Sequence, residues 1–152
     1  MKLFIALLIT VGIGSLGGLF TYPEIAHWYA GLQKPSFQPP NWLFGPAWTL
    51  LYILMGVSLY LIWKQPASDL RNKALTIFAI QFVLNFCWSL IFFNQHKIWL
   101  ALVEIIVMWI CILLTIFQFA KLSPLAAWLL VPYISWVSFA TILNAAIWKL
   151  NS

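Results

Sequence analysis

From Ile98 to Phe119 the chain reads I-W-L-A-L-V-E-I-I-V-M-W-I-C-I-L-L-T-I-F-Q-F, interrupted by one charge, Glu104. About 20 predominantly apolar residues cross a bilayer core as an α-helix, with every backbone group paired inside the segment. Four further stretches have the same character: Leu3 to Thr21, Phe44 to Trp63, Ala74 to Phe93 and Leu125 to Trp148. The pattern predicts an all-α membrane protein, a five-helix bundle formed by one domain over residues 1–152. The first run continues to Thr21 without a small-residue cleavage site and is expected to be retained as a helix.

Composition agrees. Of 152 residues, 64% are hydrophobic and 7% charged, against about 25% charged in soluble domains. So few charges cannot cover a water-facing surface. The net charge is +5, but the bases stand singly between apolar runs, without the stripe that nucleic acid requires. They read as topology signals. Lys2, Lys64, Arg71, Lys73 and Lys121 fall on one side of the bundle, and Lys34, Lys97 and Lys149 on the other. This excess predicts a cytoplasmic N-terminus. Cys87 and Cys111 lie in apolar runs without metal-ligand spacing and read as packing residues. No hydrolase set, phosphate loop or metal cluster is present, and His27 and His96 sit at span ends as polar anchors.

The connections are short except the first, Tyr22 to Leu43. Its W-Y-A-G-L-Q-K-P-S-F-Q-P-P-N-W, from Trp28 to Trp42, is no flexible linker. Pro35, Pro39 and Pro40 restrict the backbone, and Trp28, Tyr29, Phe37 and Trp42 supply apolar area. The segment is expected to fold back on the helix ends as a lid; the alternative is an interfacial aromatic belt. Pro66 and Pro124 mark connections. Pro132 falls inside the fifth run and should kink it. Gly12, Gly14, Gly17 and Gly18 give the first helix a smooth face for close packing, most simply within the bundle.

Polar residues in hydrocarbon are costly and face the bundle interior. Gln81, Asn85 and Ser89 recur every fourth residue on the third helix, with Trp88 beside them. Trp48, Tyr52 and Met55 form a stripe on the second helix, as do Tyr133, Trp136, Ala140 and Asn144 on the fifth. Together these stripes would line a pocket for a flat, mostly apolar ligand, with small Ala140 leaving room beside the Trp136 indole. The same residues also serve as helix glue or ordinary core. Glu104 reads either as a ligand or proton contact or as the partner of a nearby donor.

Three motifs carry a resemblance over nearly the whole chain: Trp28 to Gly56, with F-G-P-A-W-T-L-L-Y after the proline-rich loop; L-N-F-C-W-S-L-I-F-F from Leu84; and P-Y-I-S-W-V-S-F-A-T-I-L-N from Pro132. In this order they resemble the TspO/MBR family, the tryptophan-rich sensory proteins and mitochondrial translocator proteins. The resemblance implies a five-helix bundle, often a homodimer, whose cavity binds porphyrin, haem, sterols or synthetic ligands under the first loop. Carried over by motif, Trp48, Asn85, Trp88, Tyr133, Trp136 and Ala140 would form the cavity, and Glu104 matches a position where the family often has an acid. One departure stands out: Ala145 and Ala146 follow Asn144 where the family's sterol segment has a tyrosine, so tight cholesterol binding there is not expected.

The expected function is therefore a receptor or sensor for tetrapyrroles and other flat hydrophobic molecules, acting in porphyrin regulation or transport, with no obligatory cofactor. The alternatives are an enzyme degrading porphyrin with light and oxygen, and a structural or interaction protein. The expected location is a bacterial cell membrane, or else the outer membrane of a bacterium or mitochondrion. Five spans place the two termini on opposite sides. Impermeant labelling of single cysteines added at each end of a membrane-embedded, cysteine-free variant should modify one terminus only from either side.

Overall fold

The computed structural model describes residues 1–152 and contains five spans. They are α1 (Lys2–His27), α2 (Asn41–Trp63), α3 (Asp69–Ser89), α4 (Ile98–Leu122) and a fifth span divided into α5 (Pro124–Leu129) and α6 (Val131–Asn151). Packing runs in a ring, with α1 on α2, α2 on α5, the fifth span on α4, α4 on α3, and α3 closing on α1.

The boundaries show how far apolar runs under-read helices. α1 continues past Thr21 through Pro23 to His27, and α2 begins at Asn41 rather than Phe44. Near the bilayer surface polar residues are tolerated, so internal hydrogen bonding carries the helix beyond the hydrocarbon. α3 starts at Asp69, where the Ser68 hydroxyl accepts from the Arg71 N–H at 3.0 Å. Ser123 caps α5 in the same way, and Pro124 occupies a first-turn position where its missing N–H costs nothing. The break expected at Pro132 lies at Leu130, just before it; Pro132 opens α6 from its first turn.

The glycine face of α1 is divided. A Cβ on Gly14 would meet the Tyr52 ring, and one on Gly17 would meet Phe86, so both residues pack within the bundle. Gly12 and Gly18 have open space. Across the same seam Gly56 of α2 faces Thr10, whose hydroxyl donates to the Tyr52 carbonyl at 2.8 Å.

A chain of side-chain hydrogen bonds crosses the middle of the bundle. Tyr52 Oη donates to Asn85 Oδ1 at 2.9 Å, Asn85 Nδ2 donates to Tyr133 Oη at 2.8 Å, and Tyr133 Oη donates to Gln81 Oε1 at 2.7 Å. One strap thus joins α2, α3 and α6. Elsewhere Ser58 Oγ donates to the Ala126 carbonyl, holding α2 to α5, and Trp109 Nε1 donates to Ser138 Oγ, holding α4 to α6.

The rigid Tyr52 ring under Gly14 makes that position intolerant of bulk. Gly14→Leu should cost about 1–3 kcal/mol by overpacking and lower the melting temperature in detergent by several degrees. Gly12→Leu should melt with the parent.

Candidate functional site

The site lies in the half of the bundle under the first loop and begins with a wide helical turn. After Ser89 the α3 backbone opens from Leu90 to Asn94, with the Gln95 N–H bonded to the Leu90 carbonyl at 2.9 Å. Such i→i+5 turns insert an extra residue and re-aim side chains. Here successive residues, Phe92 and Phe93, are both buried. His96 then takes φ 58°, turning the chain into α4.

The loop closes on this turn. Trp28 stacks on His96 at 4.2 Å between ring centroids and meets Phe92 edge-on at 5.5 Å. His96 Nε2 and Glu24 Oε2 are 3.0 Å apart, and Asn94 Nδ2 donates to the Phe20 carbonyl. Tyr29, in a single tight helical turn (Tyr29–Gly31), is 1% exposed and packs on Phe44, Phe92 and Phe93. Lys34 Nζ binds the carbonyls of Tyr29, Ala30 and Leu32, fixing the turn. Farther along, Phe37 meets Phe139 of α6 at 6.1 Å, while Gln33 exchanges hydrogen bonds with the Asn151 side chain. Pro39 is buried and Pro35 partly so; Pro40, immediately before α2, is exposed. Trp42 is 72% exposed and lies outside the loop's packed face.

Beneath this cover is a chamber of about 20 Å³ lined by Tyr29, Phe44, Trp48, Trp88, Phe92, Phe93, Trp136, Phe139, Ala140, Leu143, Asn144 and Ile147. Trp48 lies 6.4 Å from Trp88 and 6.3 Å from Trp136, so three indoles from α2, α3 and α6 adjoin. Trp88 Nε1 donates to Asn144 Oδ1 at 3.0 Å, and Asn144 Nδ2 donates to the Ile98 carbonyl at 3.1 Å. On the other side of Trp48 and Trp88 a crevice of about 140 Å³ opens between α1, α2 and α3, lined in part by Gly14, Ser15, Gly18, Thr49, Tyr52 and Ser89.

The residues singled out in the sequence therefore separate into groups. Trp48, Trp88, Trp136, Ala140 and Asn144 line the chamber, and Trp48, Tyr52, Trp88 and Ser89 line the crevice. Asn85 and Tyr133 lie outside both, with their polar atoms engaged in the central strap. Glu104, on α4, also lines neither; its two carboxylate oxygens are buried without partners. No group of three His, Cys, Asp or Glu residues is arranged to hold a metal ion. Phe139, Leu143 and Ile147 continue the Trp136 stripe at helical spacing and were legible by extending it. Phe92 and Phe93 likewise stand four residues beyond Trp88 and Ser89, although the wide turn that carries them has no sequence period of its own.

The sequence profile of the TspO/MBR family matches residues 4–149. The tryptophan-rich protein TspO of Archaeoglobus fulgidus is 46% identical over 153 residues, 100% of this chain and 98% of that protein. The human translocator protein is 40% identical over 139 residues, covering 90% of this chain and 82% of that one. The tryptophan-rich sensory protein of Cereibacter sphaeroides is 34% identical, with 98% and 91% covered.

The room beside Ala140 is smaller than the sequence suggested, since about 20 Å³ does not accept the extra carbons of a leucine. Ala140→Leu should overpack the chamber and destabilise the protein by about 1–3 kcal/mol, read as a lower melting temperature. Ala140→Gly in parallel should lack this steric effect. A leucine variant as stable as the parent would mean that the chamber is wider in the membrane.

Proposed function

The chain belongs to the TspO/MBR family of multi-pass membrane proteins, and from that premise we propose that it binds porphyrin or haem in the indole-lined chamber. In this reading it acts as a receptor or sensor in porphyrin regulation or transport. The observation that carries the proposal is the convergence of Trp48, Trp88 and Trp136 under a loop anchored by aromatic contacts. Indole faces suit a flat π-system, and the few polar atoms beside them suit the polar edge of such a molecule.

The chamber of about 20 Å³ represents the closed form. Ligand pockets for molecules of drug size or larger span roughly 300–1,000 Å³, so binding requires the loop to lift and the indoles to turn. The crevice of about 140 Å³ shares Trp48 and Trp88 with the chamber and supplies space into which they can move. Other flat hydrophobic molecules fit the same logic. Homodimerisation is part of the reading, as the family resemblance implies. The excess of bases on the side of the bundle that holds the N-terminus supports a cytoplasmic N-terminus in a bacterial cell membrane.

A second reading rests on the same indoles: an enzyme that degrades porphyrin under light and oxygen. One titration separates the two and tests both against a structural role. Protoporphyrin added to the purified protein in the dark should quench tryptophan fluorescence to saturation, with less quenching in Trp136→Phe. Loss of porphyrin absorbance with a new product on illumination would select the enzyme. Quenching that never saturates would leave a structural or interaction protein.

A further inference from the structure

Two residues that line the chamber carry a buried polar atom without a partner. The Tyr29 hydroxyl and the Trp136 indole nitrogen are both buried and unbonded, and both residues line the chamber. Buried polar groups are nearly always paired, and each exception calls for an explanation. Both flank Phe44, with ring centroids 6.0 Å from Tyr29 and 6.3 Å from Trp136. Their chemistry is also matched. An indole N–H donates only, and a phenol with no bound acceptor is free to donate. The other donors deep in the chamber are already used: Trp88 Nε1 binds Asn144, and Asn144 Nδ2 binds the Ile98 carbonyl.

We infer that Tyr29 Oη–H and Trp136 Nε1–H form an acceptor-recognition pair, taking a carbonyl or carboxylate oxygen on the edge of a flat apolar ligand. The inference rests on the chamber being the ligand site, as proposed above, and adds which part of the ligand is read and by which atoms. It also gives the loop a role. Tyr29 belongs to the loop and Trp136 to α6, so one ligand oxygen held between them would tie the cover to the bundle only when the ligand is present. A ligand without an edge oxygen gains the stacking but not the tie. Lys34 Nζ lies 5.0 Å from the centre of the Tyr29 ring and is bound to three loop carbonyls. It lends positive potential to the Tyr29 side, which favours an acceptor there.

Two porphyrins of similar breadth test this: protoporphyrin, whose edge bears carboxylates, and etioporphyrin, whose edge is all alkyl. Affinities are measured by fluorescence quenching for the parent, Tyr29→Phe and Trp136→Phe, with melting temperatures recorded for each. Tyr29→Phe keeps the ring and removes only the oxygen. It should weaken protoporphyrin about tenfold, the scale of one hydrogen bond to a charged group, speed its release, and leave etioporphyrin unchanged. Trp136→Phe should weaken both, protoporphyrin more. Equal loss for the two porphyrins in Tyr29→Phe would show that the hydroxyl acts through packing and would overturn the inference, as would no loss for either. If the parent binds neither porphyrin, the chamber reading itself fails and the inference with it. Parent binding without discrimination by Tyr29→Phe overturns the acceptor pair alone.

Discussion

A side-chain amide at the centre of a membrane has no water to bond to, and the position of Asn85 in this bundle follows from that constraint. Its oxygen accepts from Tyr52 and its nitrogen donates to Tyr133, which in turn donates to Gln81. Hydrocarbon offers little preference between helix–helix and helix–lipid apolar contact, so close packing and satisfied polar pairs determine which helices meet. The strap assigns α2, α3 and α6 to one another, and Tyr52 extends its influence to α1. Its ring fills the space over Gly14, and its carbonyl accepts from Thr10. A Cβ at Gly14 would push against the ring that holds Asn85.

Above the strap the polar chemistry changes character. The Trp88–Asn144–Ile98 link is the last fully paired connection between α3, α6 and α4. Beyond it the wall becomes aromatic and the contacts less directional. The wide turn at Leu90–Asn94 is what permits this, because it brings Phe92 and Phe93 inward together beneath Tyr29. Trp28, Tyr29, Phe92 and Phe93 meet there ring on ring, through contacts that carry no charge. The directional hydrogen bonds thus lie in the strap and the aromatic contacts under the loop.

The loop is held at its two ends by different means. Near α1 the anchors are polar and aromatic: the Glu24–His96 pair, the Trp28–His96 stack, and Lys34 on three carbonyls. Near α6 they are the Phe37–Phe139 contact and the Gln33–Asn151 bonds, the latter exposed to solvent. Exposed hydrogen bonds compete with water and contribute little net stability, which holds for the Glu24–His96 pair as well as for the Gln33–Asn151 bonds, whereas Tyr29 between them is almost fully buried.

Much of this was legible in the chain. Apolar run length determined five spans, because hydrocarbon tolerates only internally bonded backbone. The four-residue spacing of Gln81 and Asn85 placed both on one inward face, and proline density marked the first loop as ordered. What the residues could not disclose was pairing across helices. That Tyr52 and Tyr133 claim both ends of the Asn85 amide, taking it out of the chamber, depends on where three separate helices stop relative to one another. Trp42 and Tyr29 have similar aromatic character and lie in the same proline-rich stretch of sequence, yet Trp42, in the first turn of α2, is exposed and Tyr29, in the tight turn after α1, is buried against the wide turn. The chamber's volume and its two unbonded donors are likewise properties of the packed bundle. Local periodicity specifies which face of a helix turns inward, whereas the atoms a side chain meets there are set by neighbours far away in sequence, and only the tertiary structure supplies them.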